Sequence, residues 1–380
     1  MNLELNEDHK LLQKTVREFA ETEVRPLAKQ SDETGHFPKE LFHKAAALGL
    51  TGVAFPEAEG GAGFDHIAYT IVIEEISRCC ASTGVILSVQ NSLFCDPLHR
   101  FGTEEQKKKF LLPFARGEKI GCYALTEPQA GSNAAALQTR AVKRRDKYLI
   151  DGTKAWITNG GVADAAIVYT NTDPDQGEKG ITAILVEKGT PGFKVGKEEK
   201  KLGINATACS ELVFTECEVP ETNRIGKEGE GYKVALSTLD GGRIGIAAQA
   251  TGIAQGAFEA ALRYAQERMA FGHPIAQFQA IQFMLADMAT ELDAARLLVR
   301  KAAWKQDHSA RFSLEASTAK LFASEMATRV THKAMQIHGG YGYSREYPVE
   351  RAYRDARITE IYEGTSEIQR LVIASWVLRG

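Results

Sequence analysis

The order in which helical and strand-like patterns follow one another constrains the fold of this chain most. From Asn6 to about Lys119, apolar residues recur at three- and four-residue steps, a spacing that predicts amphipathic helices. From Ile120 to about Gly231, the apolar runs shorten and become rich in β-branched and aromatic residues, with Gly and Pro between them, which predicts strands. After Gly231 the helical spacing returns and continues to the end.

This order predicts a multi-domain α+β fold, because βαβ units would need strands and helices that alternate. We expect an N-terminal α-helical domain over residues 1–120, a middle antiparallel β-sheet or β-barrel domain over 121–228, and a C-terminal four-helix bundle over 229–380. Within the middle domain, Asp151-Gly152 is typical of a hairpin turn.

Charge and cysteine usage exclude several classes of partner. The sequence has 46 Lys and Arg against 49 Asp and Glu, so a formal net charge of -3 offers no basic surface for nucleic acid. No apolar run reaches the ~18 residues that a membrane span requires, so no membrane association is expected. Six cysteines occur without a C-x-x-C pair, and the acidic start MNLELNEDHK is unlike a signal peptide. We therefore expect a cytoplasmic protein; a mature mitochondrial-type protein whose leader has been removed would look the same.

Motifs of several cofactor and metal sites are absent from the sequence. No G-x-G-x-x-G follows a strand pattern and opens a helix, so Rossmann-type dinucleotide binding has no support. Walker A, H-E-x-x-H and G-x-S-x-G motifs are also missing. His332 and His338 are six residues apart, which does not suit two metal ligands on one helix face. No metal site is expected.

Four segments resemble the motifs of one enzyme family. They are residues 123–128 (YALTEP) with 130–133 (AGSN), 156–160 (WITNG), 336–342 (QIHGGYG) and 361–367 (IYEGTSE). Over nearly its whole length the sequence resembles the acyl-CoA dehydrogenase family of flavoproteins, most closely its short-chain, butyryl-type branch. The resemblance implies FAD-dependent α,β-dehydrogenation of a short-chain acyl-CoA thioester to the trans-2-enoyl-CoA, a step of fatty acid β-oxidation.

Glu363 is the catalytic residue that the resemblance implies. A glutamate on an irregular stretch between helices is, without the motif, more often a capping or surface group, whereas the family's glutamate removes the α-proton of the thioester. That proton is weakly acidic, so its base needs a pKa raised by burial beside apolar substrate. Some relatives carry the base just before the arginine of a segment resembling residues 239–243 (LDGGR), and Gly242 occupies that position here. Glu363 is therefore the only matching base.

The resemblance also implies a set of contacts to FAD. In the subunit that carries the base, the matching residues are Tyr123, Leu125, Thr126, Ser132, Trp156, Thr158, Thr365 and Glu367. Trp156 would pack on the flavin ring and Thr158 would bond near its N5, although packing alone also favours aromatic and β-branched residues in strands. Groups that contact the FAD of a neighbouring subunit match Arg268, Phe271, Gln279, Gln336, Gly339 and Gly340. Arg268 could equally be a charge on a helix surface.

Substrate contacts of the family match Ser132, Asp240, Arg243, Tyr362 and Gly364. Arg243 matches a contact to the CoA tail, with a helix-stabilising salt bridge as the alternative. Glutaryl-specific members hold the distal carboxylate with an arginine, and the matching position here is Gly84, so a dicarboxylate is not expected. We expect a straight acyl chain of about four to six carbons. Each further methylene adds to the binding free energy only where the pocket has room for it. Branched or alicyclic short acyl groups fit the same arguments.

The resemblance further implies two protein partners. A homotetramer built as a dimer of dimers is expected, because some of the matching residues serve a neighbour's cofactor. An electron-transferring flavoprotein is the expected electron acceptor; an oxidase that passes electrons to oxygen is a further alternative. A non-catalytic acyl-CoA or flavin binding protein that has lost its base is the alternative from another class, and Glu363 distinguishes the two.

Overall fold

The computed structural model describes residues 4–379, so the predicted outer limits at residues 1 and 380 lie outside the described part. The N-terminal third is helical, and its first helix begins where Asn6 accepts a hydrogen bond from the His9 backbone N–H at 2.8 Å. Its helices are α1 (Glu7–Phe19), α2 (Arg25–Thr34), α3 (Lys39–Ala47), α4 (His66–Cys79), α5 (Ala81–Ser88), α6 (Asp96–Phe101), α7 (Glu104–Gln106) and α8 (Leu112–Ala115). Short π-helical segments, Ala20–Val24, Val89–Cys95 and Lys107–Leu111, join some of them end to end.

The π-helical segment Val89–Cys95, which continues α5, carries polar side chains and is buried. Its amide side chains satisfy backbone groups of neighbouring loops: Asn91 Nδ2 donates to the Leu50 carbonyl at 3.0 Å. Gln90 Nε2 donates to the Phe114 carbonyl at 2.7 Å, and Gln90 Oε1 accepts from the Gly121 N–H at 2.9 Å. This helix thus fixes the point where the chain enters the sheet.

The middle third is a sheet whose strands run in the order β6-β7-β3-β2-β4-β5-β8, with β1 added beside β4. Most neighbours are antiparallel, as predicted, but β1 pairs with β4 in parallel, with Gly121 opposite Ala165, and β2 also meets β4 in parallel, with Arg140 opposite Asn171. The sheet is open rather than closed into a barrel. Its strands are β1 (Gly121–Ala124), β2 (Arg140–Arg144), β3 (Lys147–Ile157), β4 (Ala165–Asn171), β5 (Ile181–Glu187), β6 (Phe193–Glu198), β7 (Ser210–Pro220) and β8 (Arg224–Ile225).

The hairpin turn predicted at Asp151-Gly152 is wrong, because β3 continues through both residues. The pairing of β3 with β7 shifts its register between Ile150 and Gly152, so the dipeptide marks a β-bulge. Asp151 Oδ1 accepts a hydrogen bond from the Glu216 backbone N–H at 2.7 Å across this bulge. The Asp-Gly pair therefore accommodates a bulge within a long strand. The turn that joins β2 to β3 lies instead at Arg145, which has a φ of 58°.

The C-terminal third is built on three long helices, α9 (Gly231–Glu267), α10 (Gln279–His308) and α11 (Ser313–His338). They pack on one another through small buried residues, so their backbones approach closely. Two shorter helices, α12 (Pro348–Ile358) and α13 (Ser366–Val377), pack on α11. A small hairpin of β9 (Met269–Ala270) and β10 (His273–Pro274) interrupts the predicted helical run. The helical, sheet and helical order is confirmed.

Candidate active site

Glu363 lies in the loop between α12 and α13, where two consecutive residues have left-handed backbone angles. The φ of Glu363 is 50° and that of Gly364 is 94°, so only the glycine is free of strain. The Gly364 carbonyl accepts hydrogen bonds from Lys320 Nζ at 2.7 Å and from Gln369 Nε2 at 2.9 Å. Side chains of α11 and α13 therefore hold the loop in its strained conformation.

The carboxylate of Glu363 faces the middle of α9. Its Oε2 atom is buried without a hydrogen-bond partner, and a Cβ built on Gly242 would lie 2.0 Å from it. Burial raises the pKa of the Glu363 carboxyl to about 7, while the charges of Lys320 and Arg243 oppose the rise. A carboxylate with a pKa near neutrality and a free oxygen is suited to accept a proton from a weakly acidic carbon.

Arg243, one residue beyond Gly242, points into the interior. Its Nη1 donates to Asp240 Oδ1 at 2.7 Å, and its Nε is buried without a partner. Asp240 also accepts a hydrogen bond from the Ser313 hydroxyl. The helix salt bridge that was the alternative for Arg243 is thus present, and contacts of Asp240 and Arg243 to CoA stay a prediction.

Three tyrosines surround this carboxylate, the buried Tyr69 and the partly buried Tyr123 and Tyr362. Burial raises the pKa of each phenol, and the negative charge of Glu363 adds to the rise. Their hydroxyls pair with Ser88 Oγ, the Ala235 carbonyl and Gln249 Oε1, respectively. The phenols stay neutral at physiological pH, so the surroundings of Glu363 have a low polarity. The hydroxyl of Tyr362, a predicted substrate contact, is bonded to α9.

The predicted flavin contacts of the sheet lie side by side. The Ala155 backbone N–H donates to the Thr126 carbonyl at 2.9 Å, which places Leu125 and Thr126 next to Trp156. Trp156 has a φ of 61° at a second bulge of β3, and 57% of its surface is exposed. Thr158 lies in the turn just after β3, not within the strand as predicted. An exposed indole beside polar groups is a surface that a planar ring could cover.

Lys154 and Glu127 hold this region together, and sequence reasoning missed both roles. Lys154 is fully buried; its Nζ donates to Glu127 Oε1 at 2.7 Å and to the Leu125 carbonyl at 3.0 Å. Glu127 also accepts from the Thr139 N–H at 2.9 Å. A buried ion pair with its remaining bonds satisfied thus fixes the segment that bears Leu125 and Thr126.

A second group of predicted residues is exposed at the far end of the C-terminal helices. Phe271 and Gly272 form a two-residue hairpin loop with φ values of 52° and 89°, and Phe271 is 92% exposed. The Arg268 guanidinium lies 5.6 Å from the centre of the Tyr341 ring, which joins the hairpin to the end of α11. Gln279, Gln336, Gly339 and Gly340 are exposed in the same region.

The remaining predicted residues lie at helix starts and in loops. Thr365 caps α13, because its hydroxyl accepts from the Ile368 N–H at 3.3 Å. Glu367 is exposed in the first turn of that helix, where backbone N–H bonding lowers its carboxyl pKa. Ser132 is exposed in the loop after β1.

The structure therefore gathers most of the candidates into three groups, one around Glu363, one on the sheet beside Trp156 and one around Arg268. Glu363, Gly364, Tyr362, Arg243 and Tyr123 meet around the α9 glycines, whereas the Arg268 group lies apart. Sequence reasoning missed Lys320, Tyr69 and Gln249 at the first group. Lys320 had a visible signal, since it interrupts the apolar stripe Ala316, Ala319, Ala323 and Ala327 of α11.

Across residues 4–379 the side chains contain no grouping of three His, Cys, Asp or Glu that could hold a metal. None of the helices in that range is long and apolar enough to cross a membrane.

Comparison with known proteins gives one family over the whole length. Three family models match, for the N-terminal domain of acyl-CoA dehydrogenase over residues 6–118, the middle domain over 122–217 and the C-terminal domain over 229–378. A short-chain specific acyl-CoA dehydrogenase of Clostridium acetobutylicum is 51% identical over 379 residues, with all of both chains covered.

Solved structures agree with this result. Butyryl-CoA dehydrogenase of Megasphaera elsdenii superposes with a TM-score of 0.98 and 46% identity, covering all of both chains. A chain solved in a study of the electron transferring flavoprotein of Acidaminococcus fermentans and flavin-based electron bifurcation gives a TM-score of 0.99 and 48% identity, again over both full lengths. Since sequence and structure agree from end to end, the chain belongs to the acyl-CoA dehydrogenase family, as its four motifs predicted.

Proposed function

We propose that this flavoenzyme dehydrogenates a short-chain acyl-CoA thioester between its α- and β-carbons, with Glu363 as the base, to give the trans-2-enoyl-CoA. The observation that carries the proposal is the free, buried Oε2 of Glu363, with a carboxyl pKa of about 7, opposite a glycine. A non-catalytic binding protein would have no need for such a strained and desolvated carboxylate.

The chain's own residues prepare the proton transfer. Gly242 has no side chain, so the Glu363 carboxylate can pack directly against α9 with its Oε2 free of hydrogen bonds. Among residues 4–379 the backbone N–H of Glu363 has no hydrogen-bond partner, so it is free to donate to the thioester carbonyl as negative charge develops there. Neutral phenols around the site keep its polarity low and strengthen both interactions.

FAD is the cofactor of the family, and the residues present fit it. The exposed indole of Trp156 offers a face for a ring, and Gly339 and Gly340 have open space where a side chain would stand, which suits close approach of a phosphate to the backbone. Leu125, Thr126, Trp156 and Thr158 would hold the ring end. When bound, FAD supplies the acceptor for the hydride that leaves the β-carbon.

The packing around Gly84 favours an acyl group without a distal carboxylate. A Cβ built on Gly84 would lie 2.0 Å from the Ser77 hydroxyl, so the neighbouring helix fills the space that an arginine would need. The similarity to butyryl-CoA dehydrogenase supports an acyl chain of about four to six carbons. Each methylene of that chain that is buried contributes about 0.8 kcal/mol to the free energy of binding.

An assay of CoA thioesters tests this proposal. Stopped-flow reduction of the bound flavin would be followed with straight acyl-CoAs of increasing length, with branched and alicyclic short acyl-CoAs, and with glutaryl-CoA. The specificity constant should peak between about four and six carbons. A specificity constant that rises beyond about ten carbons, or a peak at glutaryl-CoA, contradicts the substrate; no reduction by any thioester contradicts the reaction.

The exposed group around Arg268 supports a homotetramer in which it serves the FAD of another subunit. Arg243 and Arg268 lie 25 residues apart along α9 and its end, which at a rise of 1.5 Å per residue separates them by roughly 37 Å. Such a group is too far away to act on a ligand at its own Glu363. Sedimentation with detection at flavin wavelengths should then show FAD only on assembled protein; a monomer with one FAD per chain would speak against it.

We also propose an electron-transferring flavoprotein as the acceptor, which the match to the Acidaminococcus fermentans study supports. Reoxidation of substrate-reduced enzyme should be much faster with such a protein than with oxygen alone. Fast oxygen consumption would favour the oxidase alternative. All six cysteines are buried free thiols, which supports a cytoplasmic or other reducing compartment.

A further inference from the structure

Lys320 is a buried cation with a single hydrogen bond. Its side chain is fully buried among the alanines of α11, and its Nζ donates to the Gly364 carbonyl at 2.7 Å. Within residues 4–379 it forms no ion pair at contact distance. Burial of an ammonium group is costly, so a lysine at this position calls for a role that an apolar residue could not fill.

The one hydrogen bond of Lys320 reaches the backbone of the proposed base. Gly364 follows Glu363 directly, and both residues have left-handed φ angles. Gln369 Nε2 bonds to the same carbonyl at 2.9 Å, so the turn is held from α11 and from α13. This turn directs the carboxylate of Glu363 towards Gly242. Lys320 thus acts on the position of Glu363 through one peptide group.

Lys320 also acts on Glu363 through its charge. Burial lowers the pKa of the Lys320 ammonium to about 7, and the Glu363 carboxylate opposes this shift. The charged groups that face Lys320 from the packed elements are Glu363 and Glu360 of the loop, Arg243 of α9 and Glu367 of α13. Those that face Glu363 are Lys320 and Arg243, with the neutral phenols of Tyr69, Tyr123 and Tyr362 around it. The charges of Lys320 and Glu363 therefore each favour the ionised form of the other.

We propose that Lys320 is a positioning residue for Glu363, which holds the Gly364 carbonyl and by its charge favours the ionised form of the base. This inference rests on the proposed function, in which Glu363 takes the α-proton. Because a cation beside a carboxylate favours the ionised form, loss of the charge must raise the pH at which Glu363 becomes active.

Variants of the flavin-loaded enzyme separate the two actions. Lys320→Met removes charge and hydrogen bond, and Lys320→Gln removes the charge but keeps a donor. Both should move the midpoint of flavin reduction against pH upward by about one unit or more, with at least about a fivefold loss of rate at pH 7 that is partly regained at pH 9. Lys320→Arg keeps the cation and should keep the midpoint near that of the parent.

Gln369→Leu is the matched control, because it removes a bond to the same carbonyl without a change in charge. It should lower the rate at every pH and leave the midpoint in place. A merely structural lysine would give this same pattern in Lys320→Gln, and that result would overturn the inference. If Lys320→Met does not fold, Lys320→Gln and Lys320→Arg carry the comparison.

A measurement without a redox step separates this inference from the proposed function. Acetoacetyl-CoA has acidic α-protons and no β-hydride to lose, so the ultraviolet absorbance of its bound enolate reports proton loss alone. The pH at which the enolate forms should shift in Lys320→Gln and not in Gln369→Leu. An unshifted enolate titration overturns the role of Lys320, whereas failure of the parent to be reduced by any acyl-CoA overturns the proposed function.

Discussion

Glu363 Oε2 lies 2.0 Å from the point where a Cβ would stand on Gly242, so the base and the helix that faces it fit only because that residue has no side chain. The same Cβ would lie 2.8 Å from Leu93 Cδ2. Glu363 and Gly242 come from distant parts of the chain and pack against each other in the candidate site.

Gly242→Ala should therefore displace the Glu363 carboxylate and lower the rate of flavin reduction at least tenfold, with FAD content unchanged. The adjacent Gly241→Ala is the control, since its Cβ would meet only the mobile end of Gln306 at 3.3 Å. Stopped-flow reduction with butyryl-CoA measures both. Equal rates in the two variants would mean that Gly242 does not face the reacting group.

Glu363→Gln keeps the shape of the side chain and removes its basicity. Reduction of the flavin by substrate should fall by at least 10²-fold, the lower end of what a general base contributes. Binding of FAD and of CoA should persist, as measured by flavin absorbance and calorimetry. A variant within tenfold of the parent rate would place the base elsewhere.

The pH dependence of the parent follows from the pKa of Glu363. Because only the ionised carboxylate accepts a proton, the rate of flavin reduction should rise with pH, with a midpoint near 7. A midpoint near 4.5, the ordinary value of a glutamate, would show that the carboxylate is solvated in the working enzyme.

The raised pKa of Glu363 also predicts that the folded protein loses stability as the pH rises. The folded protein keeps a proton on Glu363 up to about pH 7, whereas the unfolded chain releases it near pH 4.5, so stability falls as the pH rises through this window. Glu363→Gln removes that loss. Its melting temperature relative to the parent should be higher at pH 8 than at pH 4, by thermal unfolding of the holoenzymes. A difference that is independent of pH would contradict the buried, raised carboxyl.

Lys154→Met should lower the FAD content of the purified protein. It leaves the Glu127 carboxylate buried without its cation, a change that typically costs about 3 to 5 kcal/mol, and frees the segment of Leu125 and Thr126. Lys143→Met breaks the exposed pair with Glu221 in the same sheet and should leave the flavin absorbance per chain unchanged. Equal flavin loss in both would mean that the buried pair has no special part in holding this region.

Local patterns in the sequence were sufficient for the order of the elements, and the resemblance to family motifs was sufficient to propose Glu363 as the base. Periods of 3.6 and 2 residues depend on which face of a helix or strand is buried, so they can be read within one segment. The glycine at position 242 was also visible there as a residue without a side chain. Asp151-Gly152 was misread, because the same dipeptide suits a turn and a bulge and only the pairing with β7 distinguishes them.

Only the tertiary structure decided the protonation chemistry of Glu363, the proposed base. The raised pKa of Glu363 depends on burial against α9 and on the distances to Lys320 and Arg243, which belong to helices 43 and 120 residues away in the chain. Likewise, Lys154 and Glu127 meet because β1 and β3 pack together. Electrostatic effects fall with distance in space rather than along the sequence, so motifs could name Glu363 but only the packed helices could show why its carboxyl is suited to act as a base.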